Sequence, residues 1–109
     1  MRRGEVWTVA AGKGYAGKPR PVVIVQDEAF DATDSITVCG LTTNPAEAPL
    51  ARVAIEPSEG NGLNVPCRLM VDKITTVPKS KLGRHLGRLA GEDILRMNRA
   101  IVVFLGLAG

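Results

Sequence analysis

The sequence predicts a mainly β (α+β) fold, in which five to seven short strands form a small barrel and one helix closes the chain. Three observations support this prediction. Short runs of β-branched or alternating residues recur, turns rich in glycine and proline separate them, and apolar residues at helical spacing are clear only near the C-terminus. Several short strands followed by one helix are typical of a barrel with a helix packed on it.

Strands are predicted in four segments of the first half and, less regularly, in the second half. Residues 5–9 alternate polar and apolar side chains, and 21–26 form a continuous β-branched run that is typical of a central strand buried on both faces. Alternation returns at 35–41 and 51–55. In the second half we predict strand at 67–71 and 73–77 with an interruption near Asp72, and an extended, glycine-containing segment at 82–89.

The helix and the connections have their own patterns. Glu92 and Asp93 suit a first helical turn, and apolar residues then recur at helical spacing before Gly106. The segment 11–18 holds three glycines and two lysines, so we expect a mobile surface loop. A polar connection at 27–34, with or without one helical turn, and a turn at 57–64 complete the chain.

Length and composition restrict the class of protein. With 109 residues the chain is expected to be a single domain spanning 1–109. Its hydrophobic content of 45% with only 4% aromatic residues indicates an aliphatic core. Apolar runs fall well short of the roughly 20 residues that span a bilayer, and the N-terminus lacks the apolar stretch of a signal peptide. We therefore expect a cytoplasmic protein without membrane association.

Charge is distributed in three blocks. Residues 1–26 carry five basic side chains against one acid, 27–72 carry eight acids against two bases, and 73–109 carry seven bases against two acids. If the two ends meet in the fold, one face is basic and suits a polyanion. On charge alone, a solvated surface that serves only solubility is an equally good interpretation.

Common catalytic and metal-binding signatures are absent from the sequence. It has no GxxxxGK loop, GxSxG elbow or HExxH pair, and His85 has no sequence partner that would make a metal site. Cys39 and Cys67 lack CxxC spacing, so we interpret them as small buried residues, with a disulfide as the less favoured alternative. No metal ion and no cofactor are expected.

Arg20 and Thr42 are the residues whose local sequence points to chemistry. Arg20 lies between Pro19 and Pro21, which fix the backbone on both sides. A guanidinium held in this way presents a planar fork of donors to a phosphate or to a phosphoryl-transfer transition state. The alternative is an arginine at a strand edge that pairs with a neighbouring acid. Thr42, at the end of a predicted strand, is a turn residue or a hydroxyl donor to the same phosphate.

A resemblance to a known family covers nearly the whole chain. Taken together, the order and spacing of the matching segments resemble the MazF/PemK family. They are Arg3-Gly4-Glu5-Val6-Trp7, Gly17-Lys18-Pro19-Arg20-Pro21-Val22-Val23-Ile24, Thr37-Val38-Cys39-Gly40-Leu41-Thr42-Thr43, Val71-Asp72-Lys73-Ile74-Thr75-Thr76-Val77, residues 82–89 and Phe104-Leu105-Gly106-Leu107.

The resemblance implies an SH3-like barrel of the CcdB/PemK type, a homodimer, and a toxin that an acidic antitoxin neutralises. It also implies sequence-selective, metal-independent cleavage of single-stranded RNA (mRNA), with Arg20 and Thr42 as catalytic residues. Attack of the ribose 2′-OH on the adjacent phosphorus would need an oxyanion stabiliser and proton transfer. Arginine is a poor base because its pKa exceeds about 12. RNA contacts are expected from Lys13, Tyr15, Lys18, Thr43, Lys73 and Lys79.

Some positions depart from the family pattern, and two other functions stay open. Arg68 and Asp72 each lie one residue away from the arginine and acid that some members use, so their roles are not assigned; that of His85 is also open. A CcdB-like topoisomerase poison would not need Arg20 or Thr42. A non-catalytic RNA-binding barrel would need aromatic stacking platforms, and the aromatic residues are few and scattered: Trp7, Tyr15, Phe30 and Phe104.

Overall fold

The computed structural model describes residues 1–10, 18–45 and 51–109. Within these ranges, six antiparallel strands form one sheet and a single α-helix follows the last strand, which confirms the predicted fold class. The strands are β1 Glu5–Val9, β2 Arg20–Ile24, β3 Ser35–Thr42, β4 Arg52–Ile55, β5 Cys67–Pro78 and β6 Leu82–Arg88; the helix is α1 Gly91–Phe104. Two 3₁₀ turns, Glu28–Phe30 and Lys79–Lys81, lie in the connections.

The sheet curls back on itself because the chain after β4 reaches β6. The strand order is β4-β5-β3-β2-β1-β6, so β4 and β6 lie at its two edges. The Arg88 N–H donates to the Gly60 carbonyl (2.8 Å), and a Cβ on Gly87 would collide with that same carbonyl. Close approach at this glycine lets the turn predicted at 57–64 cover β6. The barrel-like closure follows from this contact.

β2 is buried on both faces, as predicted, although it ends at Ile24 rather than Gln26. Val23 belongs to the larger core, which includes Met97 of α1, whereas Val22 and Ile24 belong to a second core on the opposite face. This alternation is expected of a strand with an apolar layer on each side. β2 is therefore held rigidly by packing on both faces. Arg20 is the first residue of this rigid strand.

Both cysteines are buried and free, which confirms the favoured interpretation. Cys39 and Cys67 both belong to the larger core. Burial is the main cause that raises the pKa of Cys39 to about 12, so its thiol stays protonated at neutral pH. These residues pack as small apolar side chains.

The predicted interruption near Asp72 is wrong, because β5 runs without a break from Cys67 to Pro78. Its register does shift there. Leu69 lies opposite Leu41 and Ile74 opposite Cys39, so residues 70–73 of β5 bulge against a single residue of β3. The Asp72 carboxylate accepts two hydrogen bonds from Arg52 of β4 (2.8 and 3.1 Å), which tie the bulge to the neighbouring strand. Asp72 thus marks a bend in β5 and not the end of the strand.

The connections agree with their predictions where they are described. One 3₁₀ turn occupies part of 27–34, and the Asp27 carboxylate accepts a hydrogen bond from the Ala29 N–H at its start (2.8 Å). Residues 11–17, which make up nearly all of the predicted mobile loop, lie outside the described residues. No helix of the described chain has the length and apolar character needed to cross a membrane.

Candidate active site

Arg20 and Thr42 are brought side by side by the pairing of β2 with β3. Val22 lies opposite Gly40 and Ile24 opposite Val38. The same antiparallel register, continued by two residues, places Arg20 opposite Thr42. Directly opposite residues have Cβ atoms about 4.5–5.5 Å apart and project from the same face. The two residues that the sequence selects, 22 positions apart along the chain, therefore meet.

Arg68 joins them from the next strand. Thr42 pairs with Arg68 of β5, and Arg20 pairs with Val9 of β1. We call this set of opposite residues, Val9, Arg20, Thr42 and Arg68, the Arg20–Thr42 row. Arg20 and Arg68 thus lie on the two strands that adjoin Thr42. The sequence analysis left Arg68 without a role, because only the register of β3 with β5 shows which residue of that strand adjoins Thr42.

The Thr42 hydroxyl both shapes the strand end and keeps a donor. Its Oγ1 accepts a hydrogen bond from the Asn44 N–H (3.1 Å), which turns the chain away from β3. A hydroxyl that accepts through a lone pair still has its own proton to donate. The turn role and the donor role, which the sequence offered as alternatives, are compatible.

A pocket of about 340 Å³ opens on the other face of the sheet from the row, where Leu63 and Cys67 of the larger core line it. Pro21 and Thr43, the chain neighbours of Arg20 and Thr42, line it together with residues of the turn after β4. That turn is held by Asn61, which is buried. The Asn61 carboxamide oxygen accepts from the N–H groups of Ser58 (3.0 Å) and Leu63 (2.9 Å), and its nitrogen donates to the Glu56 carbonyl (2.8 Å). The wall of the pocket is therefore fixed by internal hydrogen bonds.

The other expected RNA-contacting residues are only partly brought to this place. Lys18 is exposed two positions before Arg20, Lys73 is exposed within the bulge of β5, and Thr43 lines the pocket. Lys13 and Tyr15 fall outside the described residues.

Lys79 lies at the opposite end of β3 from the row. Its ammonium group lies 2.9 Å from the Asp31 carboxylate, and the preceding residue, Pro78, pairs with Ser35. Ser35 begins β3 and Thr42 ends it. At about 3.3 Å per residue the two ends are roughly 23 Å apart. Lys79 forms its ion pair with Asp31 at the far end of β3.

His85, which the sequence left unassigned, stacks on Trp7. Their ring centroids are 4.9 Å apart and the rings are within 11° of parallel. The indole N–H donates to the Glu5 carboxylate (2.9 Å), and His85 Nε2 lies 3.0 Å from the Gly87 carbonyl. Burial opposes ionisation of Glu5, but hydrogen bonds from the indole and from backbone near Arg2 outweigh it, so its pKa lies below the usual value. In the ranges described, no three His, Cys, Asp or Glu side chains form a group that could hold a metal ion.

Comparison with known proteins identifies the family of the chain. Residues 2–105 match the family model described as PemK-like, MazF-like toxin of type II toxin–antitoxin system. A probable endoribonuclease MazF from Mycolicibacterium smegmatis is 54% identical over 109 residues, covering 100% of both chains. Endoribonuclease MazF9 from Mycobacterium tuberculosis is 29% identical over 116 residues, with 98% of each chain covered.

Solved structures show the same fold. An endoribonuclease in complex with its cognate antitoxin, from a mycobacterial species, superposes with a TM-score of 0.80 at 30% identity, covering 98% of this chain and 96% of the other. The chain therefore belongs to the PemK-like, MazF-like toxin family of type II toxin–antitoxin systems. Its enzyme class is endoribonuclease, and the CcdB-like alternative is not favoured.

Proposed function

We propose that this endoribonuclease cleaves single-stranded RNA, mRNA included, at selected sequences and without a metal ion. The observation that carries the proposal is the Arg20–Thr42 row, in which the register of three adjacent strands puts Thr42 between Arg20 and Arg68. In this reaction the ribose 2′-OH attacks the adjacent phosphorus, the new O–P bond closes a 2′,3′-cyclic phosphate, and the 5′-oxygen leaves with a proton. Negative charge develops on the phosphoryl oxygens.

Arg20 and Thr42 are the proposed catalytic residues. The guanidinium N–H groups of Arg20 donate hydrogen bonds to the phosphoryl oxygens, which lowers the energy of the charged transition state. The Thr42 hydroxyl donates a hydrogen bond to the same phosphoryl oxygens. Arg68, on the other side of Thr42, adds positive charge. Lys18, Thr43 and Lys73, with Lys13 and Tyr15 from the sequence, are proposed to bind the strand, and Lys79 is omitted because of its ion pair with Asp31.

We further propose that this single-domain chain works in the cytoplasm as a homodimer and is neutralised by an acidic antitoxin. Support for the dimer comes from exposed apolar side chains grouped at the end of α1 and just beyond: Val102, Val103, Phe104, Leu105 and Leu107. Contiguous apolar patches of this kind mark interaction sites. Support for the antitoxin comes from the mycobacterial relative, which was solved with its own, and from the basic blocks of this chain.

The proposal is tested with purified protein and a single-stranded RNA of mixed sequence in EDTA. We expect cleavage that leaves a 2′,3′-cyclic or 3′-phosphate and a 5′-OH. The matched control is the same strand with 2′-deoxyribose at the cleaved nucleotide, which should stay intact because it lacks the attacking hydroxyl. Cleavage of that control, or a requirement for added divalent metal, would refute the mechanism. Sedimentation as a monomer at micromolar concentration would refute the dimer.

A further inference from the structure

We propose that the stacked pair Trp7 and His85 is a platform on which one base of the RNA strand stacks, next to the site of cleavage. The inference rests on the proposed function, because it assigns a base-binding role within it. The aromatic residues looked too scattered in the sequence for such a platform. β1 and β6 bring two aromatic rings, 78 positions apart in the chain, into parallel contact at 4.9 Å.

The two rings differ in exposure, because Trp7 packs against the second core and His85 is the outer member of the pair. The side chain of His85 is 47% exposed while it stacks on the indole, so part of the imidazole is open to solvent. Every nucleobase has a π-face, and aromatic side chains, histidine included, stack with unpaired bases. Bases within a duplex are already stacked on their neighbours. A base recognised here must therefore come from a single strand.

The backbone holds the pair in place through two irregularities in the pairing of β1 with β6. Register shifts occur between Val6 and Trp7 and between Trp7 and Val9. At the second, the Arg84 N–H donates to the Thr8 hydroxyl (2.8 Å), and Gly83 must lack a side chain because a Cβ would lie 2.6 Å from that oxygen. Bulges of this kind re-aim side chains and are frequent beside active sites.

Both rings are further fixed by hydrogen bonds. The Glu5 carboxylate accepts from the indole N–H, and Nε2 of His85 meets the Gly87 carbonyl. A platform that is already ordered loses little conformational entropy when a base binds. The Glu5 carboxylate is occupied by the indole, which limits its repulsion of an RNA phosphate.

The platform lies on the same side of the sheet as the Arg20–Thr42 row. Trp7 is paired directly with Val22 of β2, and Val22 is two residues from Arg20, so all three project from one face. Two residues along a strand correspond to about 7 Å. The basic side chains of Lys81, Arg84 and Arg88 are exposed along the β6 edge. There they can contact the phosphates of an RNA strand that crosses this edge. A nucleobase close to the cleaved bond can thus reach the imidazole of His85.

The test measures binding and cleavage separately. Binding uses the strand with 2′-deoxyribose at the cleaved nucleotide, and Trp7, the one tryptophan in the chain, reports it through its fluorescence. We expect His85→Ala to weaken binding roughly tenfold and to raise KM, with kcat at saturating RNA little changed. His85→Phe should restore affinity, because phenyl stacks without the imidazole nitrogens. The control is Phe30→Ala, which removes an aromatic ring that is 68% exposed but remote, on the turn before β3.

An abasic scan identifies the base. Removing one base at a time from the strand should weaken wild-type binding most at a single nucleotide, and that effect should disappear in His85→Ala. If His85→Ala binds RNA as tightly as Phe30→Ala and keeps the wild-type abasic profile, the proposed base-stacking role is refuted. The proposed nuclease function is not affected by that result. If the wild-type protein neither binds this strand nor cleaves its all-ribose form, the proposed function is refuted. The base-stacking proposal, which rests on that function, is then refuted as well. Circular dichroism of both His85 variants checks that the fold is kept.

Discussion

The two ends of β3 carry similar basic residues in different surroundings. At the Ser35 end, the Asp31 carboxylate binds both the N-terminal ammonium and the Lys79 ammonium, each at 2.9 Å. Hydrogen bonds from those two groups hold the pKa of Asp31 below its usual value. At the Thr42 end, the paired residues across the sheet are Val9, Arg20, Arg68 and, beyond it, Ala54, none of which is acidic.

This difference teaches that the position of a basic residue in the sheet matters more than its place in a basic block of sequence. Lys79 and Lys73 belong to the same block, yet the Lys79 ammonium pairs with Asp31 and Lys73 is exposed in the bulge of β5. A lysine whose ammonium group already pairs with a carboxylate attracts a phosphate less than an exposed lysine does. The four predictions below examine that contrast.

The largest effect is expected for Arg20→Lys. Lysine keeps the charge but loses the planar fork, so cleavage at saturating RNA should fall about 100- to 1,000-fold while the fold and RNA affinity are largely kept. Single-turnover rates together with binding to the 2′-deoxy strand separate the two quantities. A near wild-type rate would show that Arg20 only positions RNA.

A smaller loss is expected for Thr42→Val, which removes the hydroxyl at nearly constant volume. A hydrogen bond to a charged group is worth about 1.5–3 kcal/mol, so the cleavage rate should fall about 10- to 100-fold. Thr42→Ser, the control, keeps both the donor and the acceptor for the Asn44 N–H and should stay close to wild type. Equal rates in the valine and serine variants would remove Thr42 from the mechanism.

Asp72→Asn tests the bend that carries Arg68 toward Thr42. The Arg52 side chain is only 9% exposed and that of Asp72 25%, so loss of the carboxylate leaves a mostly buried guanidinium without its partner. We expect the free energy of unfolding to fall by about 1–2 kcal/mol in urea denaturation. Glu59→Gln, an exposed change in the turn after β4, is the control.

The same variant has a defined pH dependence. The hydrogen bonds from Arg52 lower the folded-state pKa of Asp72 below the unfolded value of about 3.9. The stabilisation is therefore complete above that value and is lost as the pH falls through the folded-state pKa. The stability difference between wild type and Asp72→Asn should be constant from about pH 7 to 5 and shrink below about pH 4. A difference that grows on acidification would contradict this assignment.

The smallest effect is the direct comparison of Lys73→Gln with Lys79→Gln. If Lys73 contacts a phosphate, its loss should weaken binding a few fold and reduce the slope of log K against log salt by about 0.7 for a single strand. Lys79→Gln should leave that slope unchanged, because its ammonium already pairs with Asp31. Identical slopes in the two variants would show that the ends of β3 do not differ toward RNA.

The sequence by itself determined the fold class, most strand positions, the burial of both cysteines and the choice of Arg20 and Thr42. These depend on local signals: alternation of side chains along β1 and β3, a continuous β-branched run in β2, helical spacing in α1, and two prolines around one arginine. Side-chain periodicity and backbone restriction act over a few residues, so they are visible before the chain is folded.

Only the tertiary structure decided which distant residues become neighbours. Strand register placed Arg68 opposite Thr42, the bulge bonded Asp72 to Arg52, the pairing of β1 with β6 stacked His85 on Trp7, and Asp31 paired with Lys79. Register depends on contacts summed over whole strands, and a shift of one residue moves every side chain to the other face. No local pattern encodes that choice, which is why the partners of these residues became known only from the folded chain.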